Sequence, residues 1–195
     1  MNPYYQRDGI TIYNGDQSEI LPQLANTDTV ISDPPYGIDH DTEYNFSGGS
    51  VLGNQYKRIK GDDKPFDPSH LLGYRKVILW GANCYPEKLP QGSLLIWDKR
   101  QPKGEKNVMS DGEVAWMNSG HGVYIFNHTW DGFIRQSEKG ENYHPTQKPV
   151  ALMRWCIQKA KPQGVIVDPY FGSGSLLVAA RDLGFQAIGI EAEIE

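Results

Sequence analysis

The stretch VISDPPYGI, Val30 to Ile38, reads as an apolar strand that stops at an acid, two prolines and a tyrosine. Proline fixes its own φ, lacks an N–H and holds the residue before it extended, so Asp33-Pro34-Pro35-Tyr36 forms a stiff turn that neither prolongs the strand nor opens a helix well. A near echo, VIVDPYFGSGS, runs from Val165 to Ser175. Strands apolar on both faces belong to parallel sheets covered by other layers. In such sheets ligands bind beyond the carboxyl ends of the strands, where the strand order reverses. Two strands that each end in Asp-Pro and an aromatic therefore predict two turns lying side by side at one ligand-binding edge.

Working outward, the chain alternates β and α with no internal repeat or low-complexity tract. Strands are predicted at Ile10 to Tyr13, Thr29 to Ser32, Lys76 to Trp80, Ser93 to Trp97, Val165 to Val167 and Gln186 to Ile190. A short helix is expected over Glu19 to Leu24. Pro149 opens a second, whose apolar groups recur at Val150, Met153, Ile157 and Ala160 before Lys161-Pro162 closes it. A third spans Ser175 to Leu183 and ends at Gly184. The runs EVAW and GVYIF, separated by MNSGH, read as an antiparallel hairpin. The expected fold is thus α/β, a mostly parallel twisted sheet with helices on both faces and an antiparallel hairpin at one edge. Residues 37–66, rich in Gly, Asp, Asn and Ser, are expected to form a long mobile loop.

Composition bounds the rest. A chain of 195 residues, 38% apolar and 11% aromatic, can bury one sizeable core, so a single domain over 1–195 is expected. Cys84 and Cys156 have no partner at metal-ligand spacing, so no metal site or disulfide framework is predicted. The N-terminal MNPYYQRDG carries no secretory signal pattern and no apolar run is long enough for a membrane span, which predicts a cytoplasmic protein without membrane contact. A formal net charge of -5 argues against bulk electrostatic attachment to nucleic acid. The positive charges are nevertheless clustered. Lys99, Arg100, Lys103 and Lys106 fall within DKRQPKGEK, and Lys57, Arg58 and Lys60 within YKRIKG. Each cluster reads either as a solvated loop or as a set of phosphate contacts.

The second turn has its own chemistry. Gly172 and Gly174 let backbone approach a ligand closely, and Asp168 at the strand end can accept from an ammonium or hydroxyl group. No Gly-Lys-Ser/Thr follows, which excludes a P-loop, and Leu177 stands where a dinucleotide fingerprint needs its third glycine. Glu191 lies about 20 residues beyond the glycines, where an acid that binds ribose hydroxyls belongs. A nucleoside without a pyrophosphate fits that mixture.

Strand-DPPY, then HPTQKP at His144 to Pro149, then DPYFGSGS, then GIE, in that order, resembles the S-adenosylmethionine-dependent DNA amino-methyltransferases in their permuted β arrangement. The resemblance runs from Gly15 to Glu191 and is weakest over 37–75 and 100–143. It implies a Rossmann-like methyltransferase fold in which the first strand is the family's third and the last its second, so that both termini lie in the connection between them. It implies that Asp33, Pro34, Pro35 and Tyr36 form the catalytic turn. The donor would be held by Asp168, Tyr170, Gly172, Ser173, Gly174 and Glu191, with His144, Thr146 and Lys148 near its amino-acid end and Asp16 near its adenine. Tyr170 stands where the family usually has phenylalanine, and Ser175 where it has threonine.

Other readings of these residues stay open at this stage. Asp16 can equally cap the helix that follows it, and His144 to Lys148 can simply lead into the helix at Pro149. Trp80, Trp97 and Trp116 read as core; Trp130, in the irregular NHTWDGF, is the candidate for substrate contact.

The implied reaction explains why the turn needs these residue types. An exocyclic base amine is a poor nucleophile because its lone pair is delocalised into the ring. If Asp33 and the Pro34 carbonyl each accept one N–H, the lone pair can be aimed at an activated methyl without metal or covalent intermediate. Tyr36 can stack on a base taken out of the duplex. Methylation at cytosine carbon 5 would need a cysteine nucleophile in a Pro-Cys turn, which is absent. Within the resembling family DPPY leans to adenine and a serine in place of the acid to cytosine. Adenine N6 is therefore the expected target on a DNA partner, with cytosine N4, an RNA or protein amide, or a donor-binding protein without catalysis as alternatives. Target contact is expected from the segments at about 37–66 and 99–111.

Overall fold

The computed structural model describes residues 1–39, 60–100, 110–131, 134–138 and 147–192. Its first strands are β1 (Tyr5–Arg7) and β2 (Ile10–Asn14), followed by helix α1 (Gln17–Ile20), β3 (Thr27–Ser32), β4 (Lys76–Trp80) and β5 (Ser93–Asp98). Next come β6 (Gly112–Met117), β7 (Val123–Asn127) and the small pair β8 (Trp130–Asp131) and β9 (Ile134–Arg135). The chain then forms α2 (Val150–Ala160), β10 (Val165–Asp168), α3 (Ser175–Asp182) and β11 (Ala187–Glu191). Nine strands make one sheet in the order β1-β2-β11-β10-β3-β4-β6-β5-β7. All run parallel except β1 and β6, which are antiparallel to their neighbours.

The order reverses between β10 and β3. From β10 the chain passes through α3 to β11 on one side; from β3 it proceeds to β4 on the other. Val167 pairs with Val30 in register across that boundary, so the turns after Ser32 and after Val167 leave the sheet together. The side-by-side placement expected from the sequence is what the sheet builds.

Alternation along the central strands sends their side chains into two cores. Ile31, Ile78, Trp80 and Ile166 face α2 and α3, against Leu152, Met153, Cys156, Ile157, Leu176, Ala179 and Ala180. Val30, Val77, Leu79, Val167 and Ile190 face the other way, onto Ile20, Leu21, Phe66, Leu71 and Tyr85. Helices thus lie on both faces but unequally. The second face is closed by the four-residue α1, by 3-10 turns at Leu21–Gln23, Pro68–His70 and Pro86–Lys88, and by aromatic residues between them. Trp80, Trp97 and Trp116 are core residues, as read from the sequence.

One expectation is overturned. The runs 113–116 and 122–126 do not pair with each other, because β5 lies between them: β6 is antiparallel to both β4 and β5, and β7 is parallel to β5. The connecting segment crosses the start of β5 instead of folding back. Buried Ser93 pins the crossing: its hydroxyl donates to the Ser119 carbonyl at 2.6 Å and accepts the Gly122 N–H at 3.1 Å. A two-residue hairpin does exist at the opposite edge, where β1 and β2 are joined by Asp8-Gly9 with φ of 51° and 79°. That dipeptide and its two left-handed residues are the type I′ signature, a signal present in the sequence and not used above.

Close approach of α3 to the sheet depends on Gly189 in β11. A Cβ there would lie 2.7 Å from Leu177 Cδ1 and 2.8 Å from the Phe171 ring, the aromatic of the second turn. Gly189→Ala is expected to destabilise the protein by about 1–3 kcal/mol through overpacking, measured by urea denaturation. Unchanged stability would mean that Phe171 and Leu177 repack without cost.

Candidate active site

The carboxyl edge of the sheet carries four acids from four separate places in the sequence. Asp16 follows β2, Glu191 ends β11, Asp168 ends β10 and Asp33 follows β3, and those strands are consecutive neighbours in the sheet. The two turns are joined directly: the Ser32 hydroxyl donates to Asp168 Oδ1 at 2.6 Å, with both residues buried. The same Asp168 oxygen accepts the Tyr170 N–H at 3.2 Å. Burial pushes the Asp168 carboxyl up to about 7, overriding those two donors, with the charges of Asp33 and Glu191 adding to the rise.

In the second turn, Gly172 and Gly174 adopt φ of 49° and 76°, the left-handed region open to glycine. The Gly172 N–H donates to Glu191 Oε2 at 3.1 Å, which ties the glycine turn to the end of β11. Ser173 and Ser175 hydroxyls lie 3.1 Å apart at the start of α3. Tyr170 packs edge-on against Phe66, with 5.8 Å between ring centroids, and its hydroxyl meets His70 Nε2 at 3.4 Å. His70 thus meets the oxygen by which Tyr170 differs from phenylalanine.

Asp16 caps α1, accepting the Ser18 N–H at 2.8 Å and the Ser18 hydroxyl at 2.6 Å. Those two bonds, first the hydroxyl and then the amide, hold its carboxyl below the usual range. The Gly15 N–H donates to the Glu191 carbonyl at 3.0 Å, so the cap also sits beside β11. Capping and a place at the ligand edge coexist.

The first turn is more heavily engaged than its sequence announces. The Tyr36 hydroxyl donates to Asp33 Oδ1, and the Lys148 ammonium bonds Asp33 Oδ2. Lys148 also reaches the Tyr36 hydroxyl at 3.3 Å and Glu113 Oε2 at 2.9 Å, while Glu113 Oε1 pairs with Lys99. Lys148, expected near the donor's amino-acid end, has its ammonium on the Asp33 turn. Lys99, expected to contact phosphates, is mostly buried, ion-paired with Glu113 and 4.8 Å from the Trp97 ring centroid. Arg100 is bound by Asp98 through Nε at 3.0 Å and through a second nitrogen at 2.8 Å. The remaining members of these groups, His144, Thr146, Lys103 and Lys106, lie outside the described residues, as do Lys57 and Arg58.

Burial pushes the Asp33 carboxyl above its ordinary value against the pull of Lys148, and Glu113 adds to the rise. Burial also raises the Tyr36 phenol, with Asp33 and Glu113 contributing, so that group remains a neutral donor. Burial works against charge on Lys148 as well, but Asp33 and Glu113 together hold its pKa raised.

Three residues that shape this turn escaped the sequence reading. Asp62, buried, accepts the Gly37 N–H at 2.8 Å and so clamps the exit of the turn. Gly81 follows β4, and a Cβ there would lie 2.1 Å from Tyr36 Cε1. The Tyr36 ring occupies the space a side chain would take, and a glycine directly after a strand was the available signal. Glu113 had none. Trp130, the candidate for substrate contact, packs edge-on against Trp97 at 6.4 Å with Arg135 4.4 Å from its ring.

Comparison with known proteins fits this arrangement. Residues 74–195 match the family model for N6/N4 methyltransferases, described as DNA methylase. Over 99% of its length the chain is 25% identical to the type II methyltransferase M2.LlaDCHI of Lactococcus lactis subsp. cremoris, covering 88% of that protein. It is 26% identical to the type II methyltransferase M2.DpnII of Streptococcus pneumoniae, with the same coverage. Among solved structures, the PvuII DNA methyltransferase (cytosine-N4-specific) superposes with a TM-score of 0.60 at 16% identity, covering 98% of this chain and 84% of that one. The M1.HpyAVI-SAM complex does so with a TM-score of 0.53 at 22% identity, covering 95% and 94%. The fold is that of the Rossmann-like methyltransferases. The chain belongs to the N6/N4 DNA methylase family, and it is a DNA amino-methyltransferase. No helix among the described residues is long and apolar enough to cross a membrane.

The raised Asp168 carboxyl has a signature in the ligand-free protein. Its folded-state value near 7 lies above the ordinary carboxyl value, so the folded form holds the proton more tightly than the unfolded chain. The stability this contributes is fully present below about pH 4 and is lost as pH rises through about 7. Asp168→Asn carries no such proton. Its stability relative to the parent is expected to increase between those limits and level off above them, measured by urea denaturation across pH. A difference that does not change with pH would show that burial does not raise Asp168.

Proposed function

We propose that the protein transfers a methyl group from S-adenosylmethionine to adenine N6 of a base taken out of DNA. One domain carries the site, and the segments at 37–66 and 99–111 contribute target contacts. The observation that carries this reading is the pairing of β3 with β10, which sets the Asp33 turn against the Asp168 turn and bonds them through Ser32. The donor set fits the ligand's chemistry. Asp16, Glu191 and Asp168 are three carboxyl groups along one edge, suited to an ammonium and to ribose hydroxyls, and the glycine turn between Asp168 and α3 offers close backbone approach. When bound, S-adenosylmethionine supplies a methyl group activated by a positively charged sulfur.

The chain's own residues then act on the acceptor. Asp33 and the Pro34 carbonyl accept the two N–H groups of the amine, turning its lone pair toward the donor side of the boundary. The Tyr36 hydroxyl donates to one Asp33 oxygen, so an entering amine takes its place and leaves the ring to stack on the base. Transfer would break the donor's S–C bond, its electron pair staying on the sulfur, as the new N–C bond forms, and the Asp33 carboxylate is placed to accept the amine proton that leaves. Adenine is favoured because the turn is DPPY, with an acid where the cytosine-directed relatives of the resemblance carry serine.

Labelled donor incubated with duplex DNA, followed by digestion to nucleosides, is expected to give N6-methyladenosine in its deoxy form; N4-methylcytosine would replace the adenine assignment. Asp33→Ala is expected to lower single-turnover methylation by at least ~10²-fold, the scale for losing one preorganised polar partner, while leaving donor affinity nearly intact. Asp168→Ala and Glu191→Ala are expected to weaken donor binding first, with activity partly restored at high donor concentration. Parental methylation by a folded Asp33→Ala protein would remove the catalytic role assigned to the turn.

A further inference from the structure

We infer that Glu113 is a positioning residue for methyl transfer, acting through Lys148 to fix the direction of the Asp33 carboxyl where the acceptor amine arrives. The inference rests on the role proposed above for Asp33. Four charges of alternating sign run from that residue to the rim of the site: Asp33, Lys148, Glu113 and Lys99. They come from the turn after β3, the residue just before Pro149 and α2, the body of β6 and the end of β5. Only the folded sheet assembles them.

The geometry at Lys148 assigns Glu113 its part. The ammonium donates hydrogen bonds to Asp33 Oδ2 and, at 3.3 Å, to the Tyr36 hydroxyl, and its third close oxygen is Glu113 Oε2, an ion-pair contact at 2.9 Å. The Lys148 side chain is 7% exposed, so water cannot replace a missing partner. Without Glu113 the buried ammonium has one full anion and a phenol, and a long flexible stem free to re-aim. Asp33, half of whose coordination is Lys148, would lose its fixed direction with it.

Lys99 completes the arrangement from the other side. By pairing with Glu113 Oε1 it balances that carboxylate, so Glu113 anchors Lys148 without competing for all of its charge. Burial would raise the Glu113 carboxyl, but the two ammonium groups hold it down to about 2. Trp80 lies 5.9 Å from Lys148 and Trp97 4.8 Å from Lys99, closing the ladder between aromatic walls.

A double-mutant cycle on the full chain separates positioning from a general stabilising role. Glu113→Gln is expected to lower the single-turnover methylation rate about 10-fold or more, the scale for a hydrogen-bonded charge losing its partner, with donor affinity unchanged. In Lys148→Met the same substitution is expected to have almost no further effect, because Glu113 acts through the ammonium that is already gone. Lys148→Met alone should move the acid limb of the rate profile to higher pH, since burial then raises Asp33 without the opposing ammonium. Should Glu113→Gln fail to fold, Glu113→Asp, which keeps the charge but withdraws it by one methylene, carries the same expectations. A parental rate in the Glu113 variant, additive losses in the cycle, or an acid limb unmoved in Lys148→Met would each overturn the inference. A parental rate in Asp33→Ala would instead remove the catalytic role on which it rests.

Discussion

The candidate site of this protein depends on β3 and β10 being parallel neighbours. They come from opposite ends of the chain, and the Ser32 hydroxyl that bonds Asp168 spans 136 residues of sequence. The pairing creates the reversal of strand order from which the polypeptide leaves in both directions, and it is the crevice between diverging connections that makes room for ligands at this edge. Because Val167 and Val30 are in register, the two strands end within one residue of each other in height. An offset along the strands would carry Asp33 away from Asp168 and dissolve the shared site, whatever the local shape of either turn.

The two faces of the sheet divide the labour of holding that edge. One face is covered by α2 and α3, whose apolar sides pack on Ile31, Ile78, Trp80 and Ile166 and give the central strands a rigid backing. The other is closed by short turns and aromatic rings, among them Phe66, Tyr85 and Tyr170. Phe66 packs edge-on with both Tyr85 and Tyr170, at 5.2 and 5.8 Å, and so links the segment after the first turn to the second. Rings deliver much buried area per residue, which allows irregular chain to seal a sheet that helices would otherwise cover.

Charge is concentrated where burial makes it costly. Taking a carboxylate or ammonium out of water carries a penalty that its partner offsets only with good geometry, and removing one member of a buried pair leaves the other uncompensated. Asp33, Lys148, Glu113 and Lys99 alternate in sign, so each is flanked by opposite charge. Among the described residues no cation pairs with Asp168, and burial pushes its carboxyl up to about 7. The two turns therefore meet the same physical problem differently, one by pairing and the other by neutralisation, and they are separated by a single hydrogen bond.

What the sequence determined was local. An apolar run stopped by Asp-Pro-Pro-Tyr or Asp-Pro-Tyr-Phe-Gly is legible because the strand and the turn that ends it are adjacent residues, and their order identified the family on which Asp33, Asp168 and Glu191 were read. The apolar spacing of α2 was legible for the same reason. Pairing was not. Two strands with a short link looked like a hairpin, yet β5 separates β6 from β7, since a link that can turn back can equally cross the end of a third strand. Lys148 looked like part of a lead into a helix, and Glu113 like any acid in a strand, because a long side chain finds its partner in space and leaves no trace in its neighbours. Only the tertiary structure decided that the ammonium before α2 and the carboxylate of β6 would meet at Asp33, because that meeting depends on the order of strands in the sheet.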